Sequence, residues 1–151
     1  MSIDNAVLGP VPKRLLFTMV KNTDFLCSVH TNPYNSWHYN FSNFTLFLNR
    51  KQFPNVGLSL GMDHEKTSVI WYRTLFEGSC IHISNCFFQN THDMYIAGFF
   101  MLLFDLTQDL GASDHASRQD NGNIRIYLKF SKLLSDTITF YYTWNMTILS
   151  V

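Results

Sequence analysis

The sequence predicts an all-β fold: an antiparallel jelly-roll-like β-sandwich with one short helix in a connection. Three observations predict it. Ile124, Ile126, Leu128 and Phe130 alternate with Arg125, Tyr127 and Lys129, the two-residue period of a half-buried strand. Phe99–Leu106 is an unbroken apolar run, as expected of a strand in the middle of a sandwich. Polar turn clusters separate such runs along most of the chain, the pattern of antiparallel strands rather than of βαβ units.

The elements follow in order. Gly9-Pro10-Val11-Pro12 is an extended breaker that launches a first strand, Lys13–Val20. Asn22-Thr23-Asp24 and Asn32-Pro33-Tyr34-Asn35 are turns, the second because a residue before proline is biased away from helix. Tyr39–Leu48 is a strand buried on much of both faces: Phe41, Thr45 and Phe47 point one way, and Phe44, Leu46 and Leu48 break strict alternation. Asn49-Arg50-Lys51-Gln52 fits a hairpin connection ending before Pro54.

Asp63–Phe76 is the helix candidate. Asp63 can cap it, Val69, Tyr72, Leu75 and Phe76 share one stripe, and Gly78 follows at a stop position. The segment Ser79–Asn90 has alternation around Ile81 and Ile83, and His92–Ala97 fits one helical turn ahead of Gly98. Asn121-Gly122-Asn123 leads into a strand, so it reads as a turn that lets Gly122 take positive φ and not as a phosphate loop. Thr137–Trp144, with Ile138, Phe140 and Tyr142 on one face, and Met146–Val151 complete the strands.

Composition bounds the function. Charged residues make up 15% of the 151 residues, against about 25% in a typical soluble protein. Fourteen Phe and seven Tyr suit pleated, half-buried surfaces. A surface this short of charge predicts a partner. Lys and Arg total 11 against 11 Asp and Glu, scattered apart from the pairs Lys13-Arg14 and Arg50-Lys51. Nucleic-acid binding needs a dense basic footprint, so no direct nucleic-acid contact is expected. The aromatic series Phe99, Phe100, Phe104, Tyr127, Phe130, Phe140, Tyr141, Tyr142 and Trp144 lacks interleaved cations and reads as core plus subunit contact, not as a base-stacking platform. The start, MSIDNAVLGPVPKR, has no secretory pattern, and Ala97–Phe104 is too short to span a membrane as a helix. Cys27, Cys80 and Cys86 are read as reduced thiols, and Asn40, Asn43 and Asn145 as chance matches to the glycosylation pattern.

Two clusters could carry chemistry. Cys80, His82 and Cys86 with His92 offer four zinc-type ligands, but the spacing is that of no known finger and Phe87-Phe88 adjoin it. Asp105, Asp109, Asp114 and His115 suggest an acid/base pair, but Asp105 ends a strand while the others lie in a Gly/Ser/Asp loop, where Asp usually holds backbone amides. No nucleophile elbow, phosphate-binding loop, zincin or dinucleotide motif is present. The expectation is therefore no enzyme, no catalytic, cofactor or metal residues, and no cofactor.

The chain also resembles a known family. Asp93-x-Tyr95-x-x-Gly98, then Phe104-Asp105-Leu106-Thr107, a polar loop, and Asn121-Gly122-Asn123-Ile124-Arg125-Ile126-x-x-Lys129-Phe130 resemble a segment of the hexon-like major capsid proteins of Polinton (Maverick) elements and adintoviruses. Gly9-Pro10-x-Pro12-Lys13-Arg14, Asn32-Pro33-Tyr34 with His38-Tyr39, and Tyr72 with Leu75-Phe76-Glu77-Gly78 resemble further motifs of the same family in the same order. The likeness runs from about Gly9 to Trp144 and is strongest from Thr91 onward. Gln108 stands where the family usually has proline, and the last strand lacks the family's acidic residue.

Such proteins are double jelly rolls that form trimers. The resemblance implies that residues 1–151 form a single jelly-roll domain matching the second roll. It implies a structural capsid role by self-association into a viral shell. The partners implied are neighbouring capsid subunits and a first jelly roll, with no membrane. The implied location is the virion, and the host cytoplasm or nucleus before assembly. The motifs are turns and strands, so they transfer no catalytic residue. The rival reading is a stand-alone jelly-roll module that binds carbohydrate or protein, which needs polar and aromatic groups converging on one face.

Overall fold

Two four-stranded antiparallel sheets face each other in the computed structural model, which describes residues 1–26, 30–59, 65–79, 90–106, 121–143 and 147–150. The strands are β1 (Ser2–Pro10), β2 (Arg14–Lys21), β3 (Phe41–Leu48), β4 (Lys51–Ser59), β5 (Met101–Asp105), β6 (Asn121–Phe130), β7 (Ile138–Thr143) and β8 (Thr147–Ser150). One sheet has the order β1-β6-β3-β4 and the other β5-β2-β7-β8. The chain changes sheet at every connection except the hairpins β3–β4 and β7–β8, the winding of a jelly-roll-like sandwich. Three helices sit in connections: α1 (Asn22–Phe25), α2 (Glu65–Ser79) and α3 (His92–Ala97).

The core lies between the sheets. β6 supplies Ile124, Ile126 and Leu128, all fully buried, while Arg125, Tyr127 and Lys129 point out. β2 alternates in the same way, burying Leu15, Phe17 and Met19. From β3, Phe44 and Leu46 point inward and Phe41 joins them, because the β3–β6 register shifts between Phe41 and Asn43. That shift corrects the expected grouping of Phe41 with Thr45 and Phe47: the extra residue of a bulge changes which face a side chain takes. β1 has a similar irregularity between Ile3 and Val7, with Asn5 at φ 56, and both Ile3 and Ala6 reach the core.

Several expected boundaries move. β1, not anticipated from the sequence, precedes the first expected strand, and Gly9 and Pro10 pair with Gly122 and Asn121 instead of breaking the chain. β2 starts at Arg14, and β3 at Phe41, because Tyr39 and Asn40 take positive φ in the preceding turn. The β3–β4 turn needs only Asn49 and Arg50, at φ 48 and 70, a two-residue hairpin in which both central residues are left-handed. β4 then runs through Pro54. It is an edge strand, where a missing amide is tolerated. Asn22-Thr23-Asp24 forms a short helical turn, and Asn121-Gly122-Asn123 is strand, without positive φ. Gly122 is required there by close approach: a Cβ would sit 2.7 Å from Val11 Cγ2 and 2.8 Å from the Asn49 amide.

The run Phe99–Leu106 yields β5, which is an edge strand and not a central one. It is buried on much of both faces because α2 packs against it. The buried face of α2 is Trp71, Thr74, Leu75 and Gly78, at the i, i+3, i+4, i+7 spacing of one stripe. Val69, expected on that stripe, is half exposed. Gly78 lies inside the helix and is not its stop. Its missing side chain lets α2 meet the Leu103 carbonyl, whose carbon would be 2.6 Å from an added Cβ. The expected cap Asp63 and the Ser79–Asn90 alternation fall, apart from Ser79 and Asn90 themselves, outside the described residues. So do Trp144, Met146 and Val151. α3 matches expectation, with the Thr91 hydroxyl accepting from Met94 N at 3.3 Å and Gly98 closing the helix at φ 141.

Two substitutions test this packing. Phe104 is 4% exposed and stacks on Phe44 at 5.0 Å. Phe104→Ala should cost about 3–5 kcal/mol in urea denaturation. Gly78→Ala would gain about 1 kcal/mol if only helix propensity mattered. Overlap with Leu103 reverses the sign, and we expect a loss of about 1–3 kcal/mol. A stabilised Gly78→Ala protein would contradict the α2–β5 contact.

Candidate functional site

At the end where β2 finishes and β5 and β7 begin, several connections interlock. Ser36 bridges Val20 and Phe99, and its amide donates to the Gly98 carbonyl at 2.8 Å. Trp37 N donates to Met19 O at 3.2 Å, Asn22 N to Thr137 O at 3.0 Å and Ser131 N to Asn40 O at 3.0 Å. The Asn32–Asn35 turn is closed by Asn35 N on Asn32 O, with Tyr34 N donating to Asn32 Oδ1. These hydrogen bonds tie the described loops of this end to one another and to β2.

Several large apolar side chains are turned outward here. Leu26, Tyr34 and Leu133 are 69%, 80% and 101% exposed, and Trp37, Met94, Phe99 and Leu134 are each near 40%. Single exposed apolar residues are ordinary; this many from neighbouring loops at one end form a candidate contact surface. Acids and bases are interspersed with them: His30, Asp93, Lys132 and Asp136 are exposed in the same loops. Lys21 Nζ lies 3.0 Å from Asp136 Oδ1, and hydrogen bonding from that ammonium holds the Asp136 carboxyl below its ordinary range.

Beneath this surface lies a group of buried aromatics. Tyr95 is fully buried, its ring against Tyr72 at 5.2 Å and Phe100 at 5.3 Å, with no hydrogen-bond partner for its hydroxyl among the described residues. Burial pushes its phenol well above the ordinary value. Burial, reinforced by the negative charges of Asp24 and Asp136, pushes Tyr39 up to about 12. Tyr72, whose hydroxyl donates to Asn90 O at 2.5 Å, is also raised by burial.

A second feature lies on the outer face of the β1-β6-β3-β4 sheet, near the β3–β4 hairpin. An open cleft of about 850 Å³ is lined, among the described residues, by Phe47, Asn49, Arg50, Asn123 and Arg125. Asn49 Oδ1 accepts from Asn123 N at 2.9 Å, Asn123 Nδ2 donates to Asn5 Oδ1 at 2.6 Å, and Arg125 pairs with Asp4 at 2.6 Å. The lining offers hydrogen-bond donors and one aromatic wall. It brings together no nucleophile and base.

No family model, curated protein or solved structure matches this chain.

The sequence candidates for chemistry are only partly placed. Cys80, His82, Cys86, Asp109, Asp114 and His115 lie outside the described residues, as does Cys27. His92 is described, and its ring meets Tyr72 edge-on at 5.5 Å. Asp105 ends β5, is 5% exposed and faces Arg14 across the β2–β5 ladder, with Nε 3.7 Å from its carboxylate. Among the described residues no group of three His, Cys, Asp or Glu could hold a metal. No helix among them is long and apolar enough to cross a membrane. The cleft escaped sequence reading because its residues come from two strands and a turn; the only local signal was the pair Arg50-Lys51.

The raised tyrosines fix a pH dependence. A phenol whose folded value lies above the unfolded value of 10.0 contributes stability below pH 10, lost as pH rises through the folded value. Tyr39 sets the window at about 10 to 12. We expect Tyr39 and Tyr95 to ionise only above pH 10, in a tyrosinate absorbance step that coincides with unfolding. All seven tyrosines titrating together in a folded protein would contradict this placement.

Proposed function

We propose that this chain is a structural capsid module of the hexon-like type, acting by self-association into a shell. The observation that carries the reading is the loop end where Leu26, Tyr34, Trp37, Phe99 and Leu133 are exposed, beside loop backbone hydrogen bonds at Asn35, Ser36 and Trp37. A rigid apolar surface gains from burial against a partner without first having to order itself. The low charged fraction of 15% and formal net charge of zero give little repulsion between copies. The jelly-roll-like winding and the motif resemblance to Polinton and adintovirus capsid proteins support the same reading. In it the partners are neighbouring subunits and a first jelly roll, and the place of action is the virion.

The outer-face cleft favours a second reading, a binding module. Phe47 offers an apolar wall, and Asn49, Arg50 and Arg125 offer donors to a ligand rich in acceptor oxygens, such as a glycan or an acidic peptide.

Sedimentation separates the two. The capsid reading expects concentration-dependent oligomers at tens of micromolar protein. Leu26→Ser, Tyr34→Ser and Leu133→Ser combined should weaken association on the order of tenfold, equivalent to about 1.4 kcal/mol, with denaturation unchanged because all three are well exposed. A monodisperse monomer at all concentrations would overturn the capsid reading and favour the module.

A further inference from the structure

The strand pairing is nested. β3 pairs with β4, β2 with β5, and β1 with β6, each pair enclosing the previous one in sequence. Continued outward, the nest pairs β7 with a strand lying before β1. The outer edge of β7 is instead covered by β8, the strand that follows it.

β8 therefore stands outside the nest. It is four residues long, and among the described residues its strand partner is β7 alone, in the register Thr139↔Ser150, Phe140↔Leu149, Tyr141↔Ile148 and Tyr142↔Thr147. Detaching it breaks no pair among the other seven strands. β7, by contrast, is anchored along its β2 side. Ile138, Thr139 and Phe140 are each 1% exposed or less, β7 pairs along β2, and the Thr139 hydroxyl donates to Asn22 Oδ1 at 2.9 Å. A firmly held edge with a separable cover is an acceptor site for a strand from another chain.

We propose that the β7 edge is a strand-exchange seam, at which β8 of a second copy docks antiparallel in the same register. The occupant is a second copy because the backbone of its Thr147–Ser150 already fits this edge, and exchange replaces each β7–β8 backbone pair with an identical one. The inference rests on the self-association proposed above and names a seam for it.

The test mixes two full-length variants, Tyr141→Cys and Ile148→Cys, under mild oxidation. Positions 141 and 148 are cross-strand partners, within disulfide reach. Neither variant carries both new cysteines, so a 141–148 disulfide forms only between copies. Peptide mapping should find that link in the covalent dimer. Covalent or sedimenting oligomers without the link would overturn the seam and leave self-association standing; monomers at every concentration would overturn both. A companion measurement needs no variant. The synthetic peptide WNMTILSV, residues 144–151, added to the unmodified protein in native mass spectrometry, should bind once per chain and lower the dimer fraction at least tenfold, while a scrambled peptide does neither. No uptake of the peptide would overturn the seam.

Discussion

The contact on which the structure depends is the packing of Phe44 between Phe17 and Phe104. Phe44 belongs to one sheet, Phe17 and Phe104 to the other. Its ring lies 5.2 Å from Phe17, tilted, and 5.0 Å from Phe104, stacked at 10°. Phe17 stacks in turn on Phe140 at 5.7 Å. Each such pair is worth roughly 0.5–1.5 kcal/mol beyond area burial, and together they fix the spacing of the sheets. The series continues toward the apolar end. Phe41 meets Phe44, Trp71 and Phe100, Phe100 meets Tyr95, and Tyr95 meets Tyr72. Trp71 and Tyr72 are on α2 and Tyr95 is on α3. The inter-sheet core thus positions both helices and, through α3, the exposed Met94 and Phe99.

This arrangement explains why so aromatic a chain places its apolar residues in two populations. Phe41, Phe44, Phe100, Phe104 and Phe140 are buried by the fold itself, whereas Tyr34, Trp37 and Phe99 remain outside although they adjoin residues of that core in sequence. Ser36 separates them: its bridges to Val20 and Phe99 hold the loop so that Trp37 and Phe99 border the surface and Phe100 turns inward. The same hydrogen bonds that satisfy the loop backbone therefore leave Trp37 and Phe99 partly outside.

Where a strand has one wet face, the fold was legible from local pattern. Ile124–Phe130 is the clear case, since alternation records burial directly. The errors arose where tertiary contact overrides local pattern. The continuous run Phe99–Leu106 looked central because both faces are buried, but α2 and not a neighbouring strand covers β5. Gly78 looked like a helix stop, though its role is to let α2 touch Leu103. β1 was missed because SIDNAVLGP alternates poorly, its register being broken around Asn5. The candidate surfaces were less legible still. Low charge raised the expectation of a partner surface, but which residues remain outside depends on how loops far apart in sequence, 22–26, 30–40, 91–100 and 131–137, meet at one end. The cleft likewise joins Phe47 to Arg125 only through the β3–β6 register.

Hydrogen exchange followed at low and high protein concentration tests the account most directly, because it reads the core and the apolar end in one experiment. The account predicts that β2, β3 and β6 exchange slowly at both concentrations, at the rate of global unfolding. It predicts that residues 32–37 and 92–99 gain protection only at high concentration. Protection gained instead along the outer face of β6, around Arg125 and Tyr127, or no gain anywhere, would contradict the claim that this chain associates through its apolar end.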